Sequence, residues 1–335
     1  MTKPLVSIKM ITYNHAPYIA RAIEGVLQQK TRLPFELVIG EDQSTDGTRE
    51  IVFAYQKKHP DIIRVITSDR NVGAKKNGLR TLKACLGKYI AFCEGDDYWQ
   101  SPDKLQKQAD YLERHPECGL VYSSYDVLHV KSGTTIQDFI KHKKWKMPDK
   151  PTILDFVGGK SEVGYGILTC TVMLRTSLYE QVINADPILH QNDHFLMGDT
   201  QLWAEISTLS DFHYIPESLA THIITEESAT RSSDIRKVLR FQISCAEAAL
   251  YLCDKYKLSS TVRTYHEANW CEASLRLAYH AKNPELADQV LRKKKVFNRK
   301  EWLKYYGAKY RTIHAFHEAA SLFLNLVRKG KDEWL

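Results

Sequence analysis

The sequence lacks the signatures of several large classes of protein. Its seven cysteines form no CxxC pair and are odd in number, which argues against a disulfide framework or a zinc site and predicts buried thiols in a reducing compartment. No apolar run approaches the roughly 20 residues that a membrane-spanning helix needs. The chain opens on Met1-Thr2-Lys3-Pro4 without the apolar stretch of a signal peptide, so we expect a cytoplasmic protein. A GxGxxG dinucleotide motif is also missing.

The chain has ample apolar content, and its charge is unevenly distributed. With 335 residues and 43% hydrophobic content, it can bury one domain of about 200–250 residues plus an extension. The net charge is +7, but residues 292–331 alone carry +10 and leave −3 for the rest. This basic segment predicts an anionic partner surface, and a solvated helical face is the simpler alternative.

The first hundred residues alternate between strand and helix patterns. We predict strands at residues 5–12, 35–39, 62–67 and 88–93, and helices at 17–29, 44–59 and 77–86, the last capped by Gly87. Such alternation is typical of an α/β fold with a mostly parallel sheet and helices on both faces. Ligands bind to such sheets at the carboxyl ends of the strands.

The remainder divides into a mixed part and a helical part. The pattern predicts helices at 102–115 and 198–209, strands at 120–129, 170–174 and 212–215, and a polar loop at 131–150. From about residue 231 every segment reads as helix: 234–256, 260–281, 284–295 and 299–328. We therefore predict a first domain over 1–230, with halves 1–125 and 126–230, and a helical region over 231–335.

Three acidic clusters lie at the ends of predicted strands or at the start of a predicted helix. They are Glu41-Asp42, Asp96-Asp97 and Asp199. Gathered carboxylates raise one another's pKa unless a cation compensates them. Hard divalent ions such as Mg²⁺ and Mn²⁺ suit carboxylate oxygens and usually take phosphate oxygens as well. A divalent cation with a nucleotide diphosphate is one interpretation, and solvated turn residues are the other.

Four blocks of the sequence resemble family 2 glycosyltransferases with the GT-A fold. They are residues 6–14 (VSIKMITYN), 36–48 (ELVIGEDQSTDGT), 71–77 (NVGAKKN) and 87–97 (GKYIAFCEGDD), followed by Pro102 and Lys104-Leu105. The resemblance is strong over about 5–125 and weaker over 165–230. It implies a Rossmann-like GT-A domain, here with an all-α C-terminal extension.

The resemblance also implies roles for individual residues. The donor-binding residues would be Thr12, Tyr13, Asn14, Glu41, Asp42, Asn71, Gly73, Asn77 and Asp96. The ligands of Mn²⁺ or Mg²⁺ would be Asp97, Asp96 and His222. Glu94 stands where the family often has Asp, so the main ligand is left open among Glu94, Asp96 and Asp97. His222 stands where related enzymes commonly have Arg.

Asp199 resembles the catalytic base of the family. A carboxylate there could take the proton of an acceptor hydroxyl in an inverting displacement, whereas the alternative is a carboxylate stabilised by a helix N-terminus. The implied function is transfer of a sugar from a UDP- or dTDP-linked donor to a glycan or lipid-linked acceptor in surface-polysaccharide synthesis. A sugar-nucleotide hydrolase and a non-catalytic nucleotide-sugar-binding module are the rivals.

Aromatic side chains interleave with the basic residues of the C-terminal region: Trp302, Tyr305, Tyr306, Tyr310, Phe316, Phe323 and Trp334. Basic helices with aromatic residues can lie on an anionic membrane, here the inner face of the cell membrane. Packing against the first domain, or against a second copy in a homo-oligomer, is the alternative. No recognised DNA- or RNA-binding module accompanies the charge, so we expect no nucleic-acid partner.

Overall fold

A computed structural model describes residues 3–148, 150–159, 166–225, 232–317 and 319 of the chain. Its contacts divide the chain into two compact units, Met1–Glu226 and Glu227–Leu335. The predicted boundary between residues 230 and 231 lies outside the described residues. All seven cysteines are free thiols; five are buried, as predicted, whereas Cys85 and Cys245 are half-buried.

The first unit is organised around one sheet. Its strands in the described residues are β1 Val6–Thr12, β2 Phe35–Glu41, β3 Ile63–Ile66, β4 Tyr89–Phe92, β5 Tyr98–Trp99, β6 Cys118–His129, β7 Thr134–Ile136, β8 Met173–Arg175 and β9 Asp211–Ile224. Their order is β3-β2-β1-β4-β8-β6-β9-β5, with β7 paired to β6.

Helices flank this sheet and make up the second unit. In the first unit they are α1 Ile19–Leu27, α2 Thr48–Lys58, α3 Ala74–Ala84, α4 Lys104–Arg114, α5 Phe139–Lys143, α6 Ile153–Val157, α7 Thr176–Ala185, α8 Pro187–Gln191 and α9 Asp199–Ile206. In the second unit they are α10 Ile235–Lys255, α11 Ser260–Ala281, α12 Pro284–Lys293 and α13 Arg299–Lys309.

The first half of the sheet is parallel, as the alternation predicted. β1 pairs in parallel with β2 and β4, and β2 pairs in parallel with β3. Farther along, β8 pairs antiparallel with β4 and β6, and β5 pairs antiparallel with β9. The carboxyl ends of β1, β2 and β4 therefore meet at one edge of the sheet, where parallel sheets bind their ligands.

Apolar side chains cover both faces of the sheet. Tyr89 and Ala91 of β4 belong to one buried cluster, whereas Ile90 and Phe92 belong to another. Alternate residues of a strand point to opposite faces, so a strand buried on both sides reads as a continuous apolar run. This explains why strand signals were strong in this part of the sequence.

Two expectations for the second half of the unit are wrong. The predicted loop at 131–150 contains β7 and α5. The strand predicted to end at Pro216 continues as β9 to Ile224, so His222 lies in a strand and not in a loop. Ser123 pairs with Ile215 and Ser124 with Ser218, so Pro216 lies in an irregularity that needs no ladder hydrogen bond from it.

The second unit is helical, as predicted. α11 packs against α10, α12 and α13, and the buried cluster between these helices includes Trp270 and Leu275 of α11 and Val290 of α12. The helix predicted over 299–328 is interrupted: α13 ends at Lys309, and helix resumes over 311–317. Most of the predicted helix beyond residue 317 lies outside the described residues. Within the described parts of the chain, none of the helices has the length and apolarity to cross a bilayer.

Candidate functional site

The predicted donor residues gather at the carboxyl edge of β1, β2 and β4. Thr12 ends β1, Glu41 ends β2, and residues 94–97 follow β4. Asp97 leads into β5, and Tyr98 pairs with Thr221 of β9. This pairing brings His222 beside Asp97, although 125 residues separate them in the chain.

Asp42 is held by backbone amides from a remote loop. Its Oδ1 accepts a hydrogen bond from the Val72 amide and its Oδ2 one from the Gly73 amide, each at 2.9 Å. The Asn71 side chain also accepts from the Gly73 amide, at 3.0 Å. Gly73 has φ +87°, a conformation that glycine adopts without strain. Asp42, Asn71 and Gly73 thus form one rigid corner of the site.

Arg80 is a member of this corner that the sequence reasoning missed. Its guanidinium donates to the Glu41 carbonyl at 2.8 Å and lies 3.4 Å from Asp42 Oδ1. Asn77 orients it by accepting from Nε at 2.9 Å, and Asn77 itself donates to the Gly40 carbonyl at 2.7 Å. The i, i+3 spacing of Asn77 and Arg80 on a helix was the available signal.

Glu41 and Asn77 are both buried, and their side chains hydrogen-bond to other residues of the site. Glu41 Oε1 accepts from the Ser44 amide at 2.6 Å and Oε2 from the Thr67 hydroxyl at 3.0 Å, with Arg49 3.3 Å away. These contacts fix the turn after β2. Direct binding of a donor by Glu41 or Asn77 stays a prediction.

The turn after β1 is tied to the turn after β2. Asn14 has φ +54°, and its side chain accepts from the Thr45 amide at 2.9 Å. Tyr13 is 43% exposed, so its ring has a free surface at this edge. A Cβ on Gly95 would lie 2.6 Å from Thr12 Oγ1, so only glycine permits this close approach of the two segments.

A cluster of three acids follows β4. Asp97 is buried, and its Oδ1 accepts from the Ile223 amide at 2.9 Å and lies 3.0 Å from His222 Nδ1. Burial and the Asp97 charge raise the pKa of Glu94 to about 7. The same two causes raise the pKa of Asp96, which the nearby His15 partly offsets.

Two histidines lie beside these acids, His222 next to Asp97 and His15 next to Asp96. Burial acts to lower the pKa of His222, but the Asp97 carboxylate outweighs it and the pKa is raised. His15 Nε2 lies 3.9 Å from Asp96 Oδ2, and its Nδ1 lies 3.3 Å from the Thr12 hydroxyl. The sequence reasoning singled out His222 but not His15.

The acid cluster fits a divalent cation with open coordination positions. Glu94 Oε2 is buried and has no hydrogen-bond partner among the described residues, so it is an oxygen that a cation would satisfy. Those residues contain no preassembled group of three His, Cys, Asp or Glu ligands. Mg²⁺ and Mn²⁺ commonly bind through one or two carboxylates, with water and substrate phosphates completing the shell.

A buried lysine lies in the core against Trp99, two residues after Asp97 in the chain. Lys104 donates to Gln108 Oε1 at 2.6 Å, and its ammonium lies 4.3 Å from the centre of the Trp99 ring. Burial lowers the pKa of Lys104 to about 7. Trp99 in turn donates to the Cys170 carbonyl at 2.9 Å, which fixes the strand that follows Asp97.

Asp199 opens α9, directly after Gly198. Its carboxylate accepts from the Thr200 amide at 2.7 Å. Burial raises the pKa of Asp199, and the Thr200 amide offsets this only in part. A raised pKa makes the ionised carboxylate a stronger base, so the residue has both the chemistry expected of a base and the position of a helix N-terminal carboxylate.

Comparison with known proteins adds a family and a fold. The family model "Glycosyl transferase family 2" matches residues 7–181. The putative teichuronic acid biosynthesis glycosyltransferase TuaG of Bacillus subtilis is 35% identical over 138 residues, which are 41% of this chain and 53% of TuaG. The chain spans between about a third and a half of the length of the first curated relatives that it matches.

Two solved structures share the fold. Residues 1–349 of S. aureus TarS, in complex with UDP-GlcNAc, align with a TM-score of 0.55 and 18% identity, covering 94% of this chain and 92% of that one. The mannosyltransferase PcManGT from Pyrobaculum calidifontis, in complex with GDP-Man and Mn²⁺, aligns with a TM-score of 0.51 and 15% identity, covering 94% and 87%. The predicted GT-A fold is confirmed.

Proposed function

The chain belongs to glycosyl transferase family 2, and from this premise we propose that it is an inverting glycosyltransferase. It moves a sugar from a UDP- or dTDP-linked donor to a hydroxyl of a glycan or lipid-linked acceptor. One observation carries the proposal. Asp42 and the acids at 94–97 lie at the carboxyl ends of strands that pair side by side with β1, where a nucleotide diphosphate would bridge them.

The donor site has an end for the nucleoside and an end for the diphosphate. Asp42, Asn71 and Gly73 form the rigid corner that would hold base and ribose, with the exposed Tyr13 ring available for stacking on the base. Because two backbone amides already fix Asp42, its carboxylate loses little conformational freedom when a nucleoside binds. Preorganisation of this kind favours affinity.

The diphosphate end would hold Mn²⁺ or Mg²⁺ through Asp97 and Asp96, with His222 and Glu94 as further candidate ligands. The orphan Glu94 oxygen and the raised pKa values of Glu94 and Asp96 are what supports a cation there. When bound, the cation supplies a Lewis acid that stabilises negative charge on the leaving diphosphate. PcManGT, whose structure holds Mn²⁺ with GDP-Man, is consistent with this proposal.

Asp199 acts as the general base in the proposed reaction. It accepts the proton of the acceptor hydroxyl while that oxygen forms a bond to the anomeric carbon of the donor sugar. The bond between this carbon and the diphosphate oxygen breaks, and the nucleoside diphosphate leaves with the electron pair. One displacement of this kind inverts the configuration at the anomeric carbon.

The names of similar proteins narrow the substrate class. The TarS structure contains UDP-GlcNAc, and TuaG is named for teichuronic acid biosynthesis. We propose from these a UDP-sugar donor, with dTDP-sugars as the second choice, and an acceptor in surface-polysaccharide synthesis.

The second unit offers a surface for an anionic membrane. Residues 292–317 carry nine basic side chains against one acid, Glu301. The rings of Trp302 and Tyr306 are stacked at 5.5 Å, and those of Tyr306 and Tyr310 at 6.3 Å, with both tyrosines exposed. Basic charge beside exposed aromatic rings is the composition of helices that lie on anionic bilayers. Phe323 and Trp334 lie outside the described residues.

A panel of ligands tests the donor proposal first. Thermal shift with UDP, dTDP, GDP and CMP, each with and without Mn²⁺, should show stabilisation that is largest for UDP or dTDP and depends on the metal. Absence of any metal-dependent shift across the panel would refute the site.

Release of nucleoside diphosphate then tests the reaction. Sugar donors that carry the nucleotide selected by the panel, UDP-GlcNAc among them, are incubated alone and with polysaccharide acceptor fractions. A transferase releases the diphosphate mainly when acceptor is present. Equal release without acceptor indicates a sugar-nucleotide hydrolase, and binding with no release indicates a non-catalytic module. Sedimentation with vesicles of phosphatidylglycerol and phosphatidylcholine, against phosphatidylcholine alone, tests the membrane surface.

A further inference from the structure

Lys75 occupies a position where a cation is electrostatically unfavourable. It lies in the first turn of α3, two residues after Gly73, whose amide donates to Asp42. The N-terminus of a helix carries partial positive charge, so anionic side chains are stabilising there and cationic ones are not. A lysine at this place needs a compensating partner, and the structure supplies one.

The partner is the backbone that leads into Asp199. Lys75 Nζ donates to the Asn192 carbonyl at 2.8 Å and to the Phe195 carbonyl at 2.5 Å. Both carbonyls belong to residues 192–198, here called the 192–198 segment, which ends directly before Asp199, the first residue of α9. The Lys75 side chain thus connects α3, which follows Gly73, to the segment that leads into Asp199, the proposed base.

The neighbouring lysine makes a weaker contact with the same segment. Lys76 pairs with Asp193 at 2.7 Å, and both side chains are about 60% exposed. Exposed ion pairs contribute little because water screens them. Lys75 is more enclosed, since burial lowers its pKa while Asp193 acts to raise it. Charge-assisted hydrogen bonds in such a place are about twice as strong as neutral ones.

We propose that Lys75 is a positioning residue. By holding the 192–198 segment against α3, it fixes the placement of Asp199 relative to the corner formed by Gly73 and Asp42. Its loss would leave donor binding intact and slow the transfer step, because the base would spend less time in register with the acceptor hydroxyl. The catalytic part of this inference rests on the proposed role of Asp199, whereas the holding of the segment does not.

Amide hydrogen exchange on the protein without ligands tests the holding directly. In Lys75→Met, which keeps the apolar stem and loses the ammonium, we expect amides of the 192–198 segment to exchange about 10-fold faster or more. The β1 peptide reports whether the fold is kept. Lys75→Arg, whose guanidinium can donate to the same carbonyls, should recover most of the protection. Lys76→Met is the matched control and should change exchange by less than about twofold.

Kinetics and calorimetry then separate positioning from ligand binding. With a sugar donor that carries the nucleotide identified by the panel, Lys75→Met should lower kcat about 10-fold and leave the donor KM and the affinity for UDP with Mn²⁺ within about twofold. Unchanged exchange in the 192–198 segment would overturn the proposal. A 10-fold loss of UDP affinity without faster exchange would make Lys75 a donor ligand and would also overturn it.

The two proposals fail in different ways. Amide exchange is measured without donor or acceptor, so it does not depend on catalysis. Normal transfer by Asp199→Asn would refute the role of Asp199 as the base, but it would not affect the conclusion that Lys75 holds the 192–198 segment. Fast exchange in Lys75→Met with unchanged kcat would refute the catalytic role of the contact.

Discussion

The proposed donor side and the proposed acceptor side of the site are built differently. On the donor side, Asp42 accepts two amides from a loop about 30 residues away, and Asp97 accepts an amide from a strand 126 residues away. On the acceptor side, Asp199 accepts the amide of its own neighbour, Thr200. Long-range contacts fix the donor carboxylates as part of the fold, whereas Asp199 depends on the segment before it.

This difference suggests separate roles for the two sides, ligand binding on one and the transfer step on the other. A carboxylate preorganised by the fold can bind a charged ligand without paying for its own ordering. The placement of the proposed base depends instead on the 192–198 segment, to which Lys75 donates two hydrogen bonds. We therefore expect mutations on the donor side to weaken binding and mutations on the acceptor side to slow transfer.

The largest effect should come from Asp199→Asn. The amide cannot take a proton at neutral pH, so we expect transfer to fall by about 100-fold or more, the usual contribution of a general base. UDP affinity with Mn²⁺ should stay within about twofold of wild type by calorimetry. Transfer at the wild-type rate would show that the base lies elsewhere and that the two sides are not divided as described.

Asp97→Ala should have the next largest effect, and on binding. Loss of a proposed ligand should lower the Mn²⁺-dependent affinity for UDP by about 10–100-fold, since even outer-shell partners of metals cost that much. Asp110→Ala, which removes a carboxylate from the surface of α4, serves as the control. Equal Mn²⁺-dependent affinity in wild type and Asp97→Ala would remove Asp97 from the metal site.

A smaller effect is expected for Arg80→Met. The substitution removes the guanidinium that donates to the Glu41 carbonyl and lies beside Asp42. Hydrogen bonds to charged groups contribute about 1.5–3 kcal/mol, so UDP affinity should fall roughly 10-fold through the loosened Asp42. A fall in kcat with unchanged affinity would contradict the assignment of this corner to binding.

The smallest effect concerns stability and the buried Lys104. Its pKa is about 7 in the folded protein against 10.5 for an unfolded lysine, so between these values the unfolded state binds more protons and stability rises with pH. From pH 7 to pH 8 the unfolding free energy of wild type should rise by about 1 kcal/mol relative to Lys104→Met. Urea unfolding at both pH values measures this, and parallel pH dependence of the two proteins would contradict it.

Much of the donor side could be predicted from the sequence. Two predicted strands, each followed by acids, indicated that Asp42 and the acids at 94–97 lie at one edge of a sheet, and the family resemblance added Thr12. Parallel pairing makes that inference reliable, because the carboxyl ends of neighbouring strands must meet. Periodicity set helix boundaries only approximately, and α3 begins at Ala74, three residues earlier than predicted.

The parts that could not be predicted depend on contacts between remote segments. Gly87 was expected to cap a helix, but a Cβ there would lie 2.5 Å from the Ser7 amide, so the glycine serves a close approach between strands. His222 was not expected in a strand, because the predicted strand stops before Pro216, and the irregular register of β6 and β9 lets β9 continue past that proline. The sequence near His15 and Lys75 carries no signal of their partners, and for Arg80 only the contact with Asn77 was open to inference.

The most direct test of the central claim is a crystal structure with UDP and Mn²⁺. We expect uridine against Asp42, Asn71 and Gly73, and manganese bound to the diphosphate and to at least one carboxylate of residues 94–97. Nucleotide bound away from Asp42, or manganese with no ligand from residues 94–97, would contradict the claim that Asp42 and these acids bind the two ends of one donor molecule.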